Sequence, residues 1–185
     1  MSNNPCTGIE RFSEKPRQRY VTDSEYLAFR DFAGTLIGVY MDFKLLTGLR
    51  RGDILAIRLD QLKEDGIHVR ISKTDKPIII EWSDALKGAV TAARRLPRPV
   101  TGLYLFSTCK GQPYTSSGFS SIWQRKMKAA LDSGMLRERF TDHDLRSKSA
   151  SDTDIEHATR LLAHLDQKTT HRHYRRKPEK VKPLK

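Results

Sequence analysis

Residues 36–53 read Leu36-Ile37-Gly38-Val39-Tyr40-Met41-Asp42-Phe43-Lys44-Leu45-Leu46-Thr47-Gly48-Leu49-Arg50-Arg51-Gly52-Asp53. Apolar side chains recur along it from Leu36 through Val39, Tyr40 and Phe43 to Leu46 with helical spacing, which predicts a buried helix that stops at Gly48. An arginine follows the stop directly, between glycines and ahead of Asp53. Held in that way, Arg50 is a preorganised fork for phosphate oxygens. On these residues alone an arginine that caps the helix C-terminus is the reading to prefer.

Towards the N-terminus, Thr22-Asp23-Ser24-Glu25 offers capping side chains and an acidic first turn, so a helix is predicted from there through Tyr26, Leu27, Phe29 and Phe32. In the other direction a short helical stretch carries Ile54, Leu55 and Ile57, after which the period falls to two. Ile67-His68-Val69-Arg70-Ile71 alternates, Thr74-Asp75-Lys76-Pro77 has turn composition and Ile78-Ile79-Ile80 is β-branched, so a hairpin is predicted with Lys73 at its bend. Ser83 to Arg95 reads as a helix, Leu103 to Phe106 as a short strand, and Ser116 or Ser117 as the cap of a helix running to about Leu131. The last third is helical again, with Ile155, Leu161 and Leu162 as core positions. No repeat is visible at solenoid periods. The expected class is α+β, mainly α-helical with a small antiparallel β-sheet.

The 185 residues, 37% of them apolar, suffice for one domain with its own core. Thirty-four Lys and Arg against 22 Asp and Glu give a formal charge of +12, which makes a polyanion, nucleic acid first, the partner to expect; the alternative is that the charge serves solubility only. Cys6 and Cys109 lie far apart with no signal-peptide pattern, so a disulfide framework is not expected and a reducing cytoplasm is. No apolar stretch is long enough to cross a bilayer, and no membrane role is expected.

Two further clusters join Arg50. In His143-Asp144-Leu145-Arg146 the imidazole and the guanidinium are three residues apart and share a helical face, so both can reach one anion. Leu161-Leu162-Ala163-His164 precedes Tyr174, which sits among His171, Arg172, His173, Arg175 and Arg176 and is the only tyrosine of the last seventy residues. Such surroundings can hold an anionic substrate against a phenolate; taken alone, the segment could also be a surface tyrosine in a basic tail.

Together, from about Arg19 to Arg176, these clusters resemble the tyrosine recombinase, or phage integrase, family: its T-G-x-R box, its hairpin lysine, its H-x-L-R box and its L-L-G-H…Y box, in order. The resemblance implies the tyrosine recombinase catalytic-domain fold and gives the residues roles. Arg50 and Arg146 become the phosphate-binding arginines, Tyr174 the nucleophile, and Lys73 the acid that protonates the leaving 5′ oxygen, with Lys76 as its rival in the same turn. His143 and His164 match the box histidines, His143 being the candidate base, and Asp53 matches an acidic position that supports the site structurally. Ala163 stands where the family has Gly, a small-for-small change expected to matter little.

The chemistry asks for such a set. A phosphodiester under attack gathers charge on its non-bridging oxygens, and guanidinium and imidazole donors can neutralise it, so no metal or other cofactor is expected. Losing one such donor raises the barrier by about 3 kcal/mol, roughly a hundredfold in rate. The bond energy is kept in a 3′-phosphotyrosine, which another strand's 5′ hydroxyl reverses without ATP.

The expected activity is therefore site-specific recombination of double-stranded DNA for integration or excision of a prophage or mobile element, in the cytoplasm of a bacterial host near its nucleoid. Residues 1–19 are expected to be a linker remnant, 20–176 the catalytic domain and 177–185 a basic tail. The family's N-terminal DNA-binding domains do not fit into residues 1–19, so an isolated domain is expected, monomeric in solution, whereas the full-length protein would act as a homo-tetramer on DNA. The alternatives are an integrase-derived DNA-binding module without catalysis, a type IB topoisomerase, and a metal site at His164, His171 and His173, which lacks an acidic or thiol ligand at suitable spacing.

Overall fold

In the computed structural model, which describes residues 18–100, 102–163 and 167–177 and of Arg172 the backbone only, the first helix α1 (Asp23–Phe32) begins in a capping box. Thr22 Oγ1 accepts from the Glu25 N–H at 3.3 Å while the Glu25 carboxylate accepts from the Thr22 N–H at 2.9 Å. Such a cap is worth about 1 kcal/mol. Helix α2 (Thr35–Thr47) is the central element: Ile37, Val39, Tyr40, Met41 and Phe43 are all buried, and Gly48 ends it at φ 60°, ψ 5°. The short α3 (Arg51–Leu55) follows at once.

A 3₁₀ turn (Leu59–Gln61) leads to strands β1 (Gly66–Arg70) and β2 (Pro77–Glu81), which pair antiparallel with Ile67 opposite Ile80 and Val69 opposite Ile78. Ile67 and Val69 are buried and Ile79 faces solvent, as the alternation requires. Asp75 takes the left-handed conformation in the turn between them, at φ 54°. Then come α4 (Asp84–Arg94), capped by Ser83, α5 (Ser116–Asp132), α6 (Asp142–Ser151), α7 (Ile155–Leu161) and α8 (Gln167–Tyr174).

An aromatic cluster welds α1, α2 and α5 together. Phe29 meets Trp123 edge-on at 5.1 Å between centroids, and the Tyr40 and Phe119 rings stand 4.4 Å apart. Ala150, Ala158 and Leu162 form a second, smaller core, against which Tyr174 packs. No helix among the described residues is long and apolar enough to cross a membrane.

Three local expectations need correction. Leu103 to Phe106 is not a strand: Tyr104 makes one isolated bridge to Arg58, and the 3₁₀ turn that begins at Leu59 leaves no ladder to extend. Thr115, not Ser116 or Ser117, caps α5, accepting from the Gly118 N–H at 3.1 Å. Ala158 and Leu162 carry the core of α7, whereas Ile155 and Leu161 are only half-buried. His164, Cys6, the lead-in up to residue 17 and the tail from residue 178 lie outside the described residues.

Candidate active site

The site is assembled where two helices end. Gly48 is the C-cap of α2 and Leu162 the C-cap of α7, and the Arg146 guanidinium of α6 donates to both carbonyls, from Nη1 to Gly48 O and from Nη2 to Leu162 O at 2.8 Å. Terminal carbonyls of helices carry partial negative charge and lack intrahelical partners, so a buried cation between two of them is well matched. Gly48 is needed twice over. Its φ is left-handed, and a Cβ there would stand 2.9 Å from Leu162 Cδ2. Ala163 has φ 51°, so the position where a glycine was expected to be interchangeable with alanine is one where alanine is strained, by about 1 kcal/mol.

Arg50, in extended conformation, is the N-cap of α3, and its Nη1 is buried with no hydrogen-bond partner among the described residues. Burial and the Arg50 cation together lower the pKa of Arg146, while Tyr174 and Asp53 oppose this. A guanidinium nevertheless keeps its proton throughout the working range of proteins. Two cations distant in the sequence are thus held close together.

Tyr174, the last residue of α8, lies against Arg146. Its ring centroid is 5.4 Å from Arg146 Cζ and 5.6 Å from the centroid of the His143 ring. His143 is open to solvent on one side and crowded by protein on the other; this partial burial, then the Lys44 and Arg146 cations, lowers its pKa below the ordinary imidazole range. The backbone around Tyr174 is anchored to α6. Ser151 Oγ donates to the Tyr174 carbonyl at 3.0 Å and accepts from the Arg176 N–H at 2.8 Å, and Arg176 Nη1 donates to Asp144 Oδ1 at 2.6 Å.

Asp53 Oδ1 accepts from the Ser72 N–H at 3.0 Å, tying α3 to the hairpin turn. Lys73 follows in that turn, exposed, and so does Lys76. Lys76 also borders a cleft of about 750 Å³ between β2 and α7, together with His157 and Arg160.

Residues 20–180 match the model of the phage integrase family. The chain belongs to that family, the tyrosine recombinases. The integrase of Escherichia phage HK022 is 25% identical over 174 residues, which cover 89% of this chain and 49% of that protein. The chain thus spans about half the length of this curated relative. Among solved structures, a lambda integrase dimer bound to a COC′ core site matches with a TM-score of 0.76 and 24% identity over 92% of this chain and 52% of its own. The lambda integrase catalytic core matches with a TM-score of 0.66 and 26% identity over 80% of this chain and 96% of its own. The mainly helical fold with a small antiparallel sheet is the tyrosine recombinase catalytic-domain fold.

In this integrase-family domain, four of the residues read from sequence are gathered at one place: Arg50, Arg146, His143 and Tyr174. Asp53 adjoins them and reaches the Lys73 turn through Ser72. Sequence reading passes over Lys44, Asp142 and Ser151, and notes Arg176 only as part of the charge around Tyr174. Lys44 did carry a signal, as a lysine inside an apolar helical run, and burial of that side chain required a partner. Among the described residues, no group of three His, Cys, Asp or Glu side chains is placed to hold a metal ion.

Proposed function

We propose that residues 20–176 are the catalytic domain of a site-specific DNA recombinase, which cuts and rejoins strands through a 3′-phosphotyrosine at Tyr174. One observation carries this reading: Arg146, held between two helix ends next to Arg50, has the Tyr174 ring against it, and the His143 ring stands 5.6 Å from that same ring.

Arg50 and Arg146 take the non-bridging oxygens of the scissile phosphate. A guanidinium has five N–H donors, so Arg146 can serve two carbonyls and a phosphate oxygen at once. The buried Nη1 of Arg50 would find its acceptor in the same phosphate. The phenol oxygen of Tyr174 attacks phosphorus, its proton passes to neutral His143, and the bond to the 5′ oxygen breaks as Lys73 gives that oxygen a proton. Attack by another 5′ hydroxyl runs the steps backwards and joins new strands. Asp53, through Ser72, sets where the lysine turn rests, which favours Lys73 over Lys76. His164 enters by its match to the L-L-G-H…Y box alone. The partner is double-stranded DNA, in an assembly of several protomers when the whole protein acts, and the setting is the integration or excision of a prophage or mobile element.

Incubation with a pool of nicked suicide duplexes, followed by a denaturing gel, tests the reading. The parent should give a covalent protein–DNA band and Tyr174→Phe none. A band that persists in Tyr174→Phe places the nucleophile elsewhere. DNA binding without a band in the parent replaces the enzyme by a DNA-binding module.

A further inference from the structure

One buried ammonium group joins the two motif segments that meet at the site. Lys44 of α2 is fully buried; its Nζ donates to the Leu49 carbonyl at 3.1 Å and lies 3.5 Å from Asp142 Oδ2. Leu49 immediately precedes Arg50, and Asp142 immediately precedes His143. Asp142 also accepts from Tyr40 Oη at 3.1 Å and faces Arg51 Nη1 at 3.7 Å. Helices α2, α3 and α6 therefore share a single charged junction next to the reacting groups. Burying an ammonium is costly even when it is paired, and a set of well-packed apolar side chains in place of a whole buried pair is often as stable or more so. Stability alone does not account for a lysine there.

We propose that Lys44 is a positioning residue, which fixes Arg50 relative to His143 through the Leu49 carbonyl and Asp142 and presents a positive charge to the imidazole. The role rests on the reading of Arg50 as a phosphate ligand and His143 as the base. Electrostatics agree with the geometry. Lys44 is pushed down to about 8 by burial, which Asp142 opposes and Arg146 and Arg51 reinforce, so the ammonium form still prevails at neutral pH. After burial, Lys44 is the largest influence holding His143 below its usual range, ahead of Arg146 and Arg176, with Asp142 acting the other way. Tyr40, on the same helix, presents its ring 5.7 Å from Lys44 Nζ. Lys44 thus favours the neutral imidazole that a base must be.

Lys44→Met, unbranched and neutral, tests this in the full chain by three readouts. They are thermal melting, the His143 titration followed by NMR without DNA and assigned with His143→Gln, and the single-turnover rate of covalent-complex formation across pH. The variant should melt lower than the parent, because Asp142 and the Leu49 carbonyl lose a buried partner, while remaining folded at the assay temperature. Its His143 should titrate about half a unit higher or more, and its covalent complex should form at least about tenfold more slowly at pH 7, with DNA affinity within about threefold. The acid limb of the rate profile should move up with the histidine. An unchanged His143 titration and rate overturn the proposal, and so does a rate loss that vanishes once the unfolded fraction at the assay temperature is allowed for. If Lys44→Met does not fold, Asp142→Asn carries the test: His143 should then titrate lower than in the parent while cleavage still slows, and any other pair of results overturns the proposal. A parent that forms no covalent complex defeats the reading of the site, whereas the titration reports the junction separately.

Discussion

Arg146 holds two jobs that pull on one side chain. It closes the C-terminal ends of α2 and α7 and, in the proposed reaction, stabilises the phosphate under attack. Arg146→Lys keeps the charge but loses the planar fork, so it can reach one carbonyl or the phosphate but not all three. Cleavage of the suicide duplex should fall at least about a hundredfold, and denaturant unfolding should show a loss of about 2 kcal/mol from the buried carbonyls left unpaired. A variant with parental cleavage would remove Arg146 from the chemistry. The capping role that the sequence left open for Arg50 belongs to Arg146, whose partner Gly48 is 98 residues away. Local spacing cannot reveal a cap made across that distance. Ala163 was misjudged for a related reason: residue size is legible in a sequence, but the sign of φ at the end of α7 is not.

Helix α6 is the element on which the site is built. After His143 it is buried almost throughout, and Ser147, Ser149, Ala150 and Ser151 are small enough for α7 and α8 to pack closely upon it. Even Lys148 is buried, paired with Asp23 and, at 2.9 Å, with Asp152, over the Tyr20 ring at 5.0 Å. The segment after Tyr174 is clamped to the same helix through Ser151 and Asp144. Arg176→Met should therefore free residues 174–177, seen as faster amide exchange there than in the parent, and should slow covalent-complex formation about tenfold while α1 to α5 keep their protection. Unchanged exchange at Tyr174 would show that the clamp does not hold it. The hairpin was legible because one strand face is buried and alternation marks it. Leu103 to Phe106 is apolar and aromatic too, but it makes a single isolated bridge, and a strand needs a ladder. Helix α8 buries little more than Thr170 and Tyr174 and has no apolar stripe, so periodicity could not have bounded it.

At the scale of the whole molecule, the charge of +12 and the site argue together. A chain of this composition should hold duplex DNA mostly by phosphate contacts, so its affinity in gel-shift assays should drop at least about tenfold between roughly 50 and 200 mM salt. Binding indifferent to salt would mean that base contacts or apolar burial dominate. Residue types, helix stops and box order made the fold class readable in advance and drew notice to four side chains, Arg50, His143, Arg146 and Tyr174, as candidates for the site. What was not readable is the junction of Lys44, Asp142, Tyr40 and Arg51, because it exists only once three helices have packed. The central claim is spatial: two guanidinium groups and a phenol, from three parts of the chain, converge on one phosphorus. A crystal structure of the chain with a nicked duplex and vanadate at the nick measures this directly. The account predicts Arg50 and Arg146 both in hydrogen-bond contact with equatorial vanadate oxygens and the Tyr174 oxygen at an apical position; vanadate bound with either arginine turned away, or with a different apical group from the protein, would contradict it.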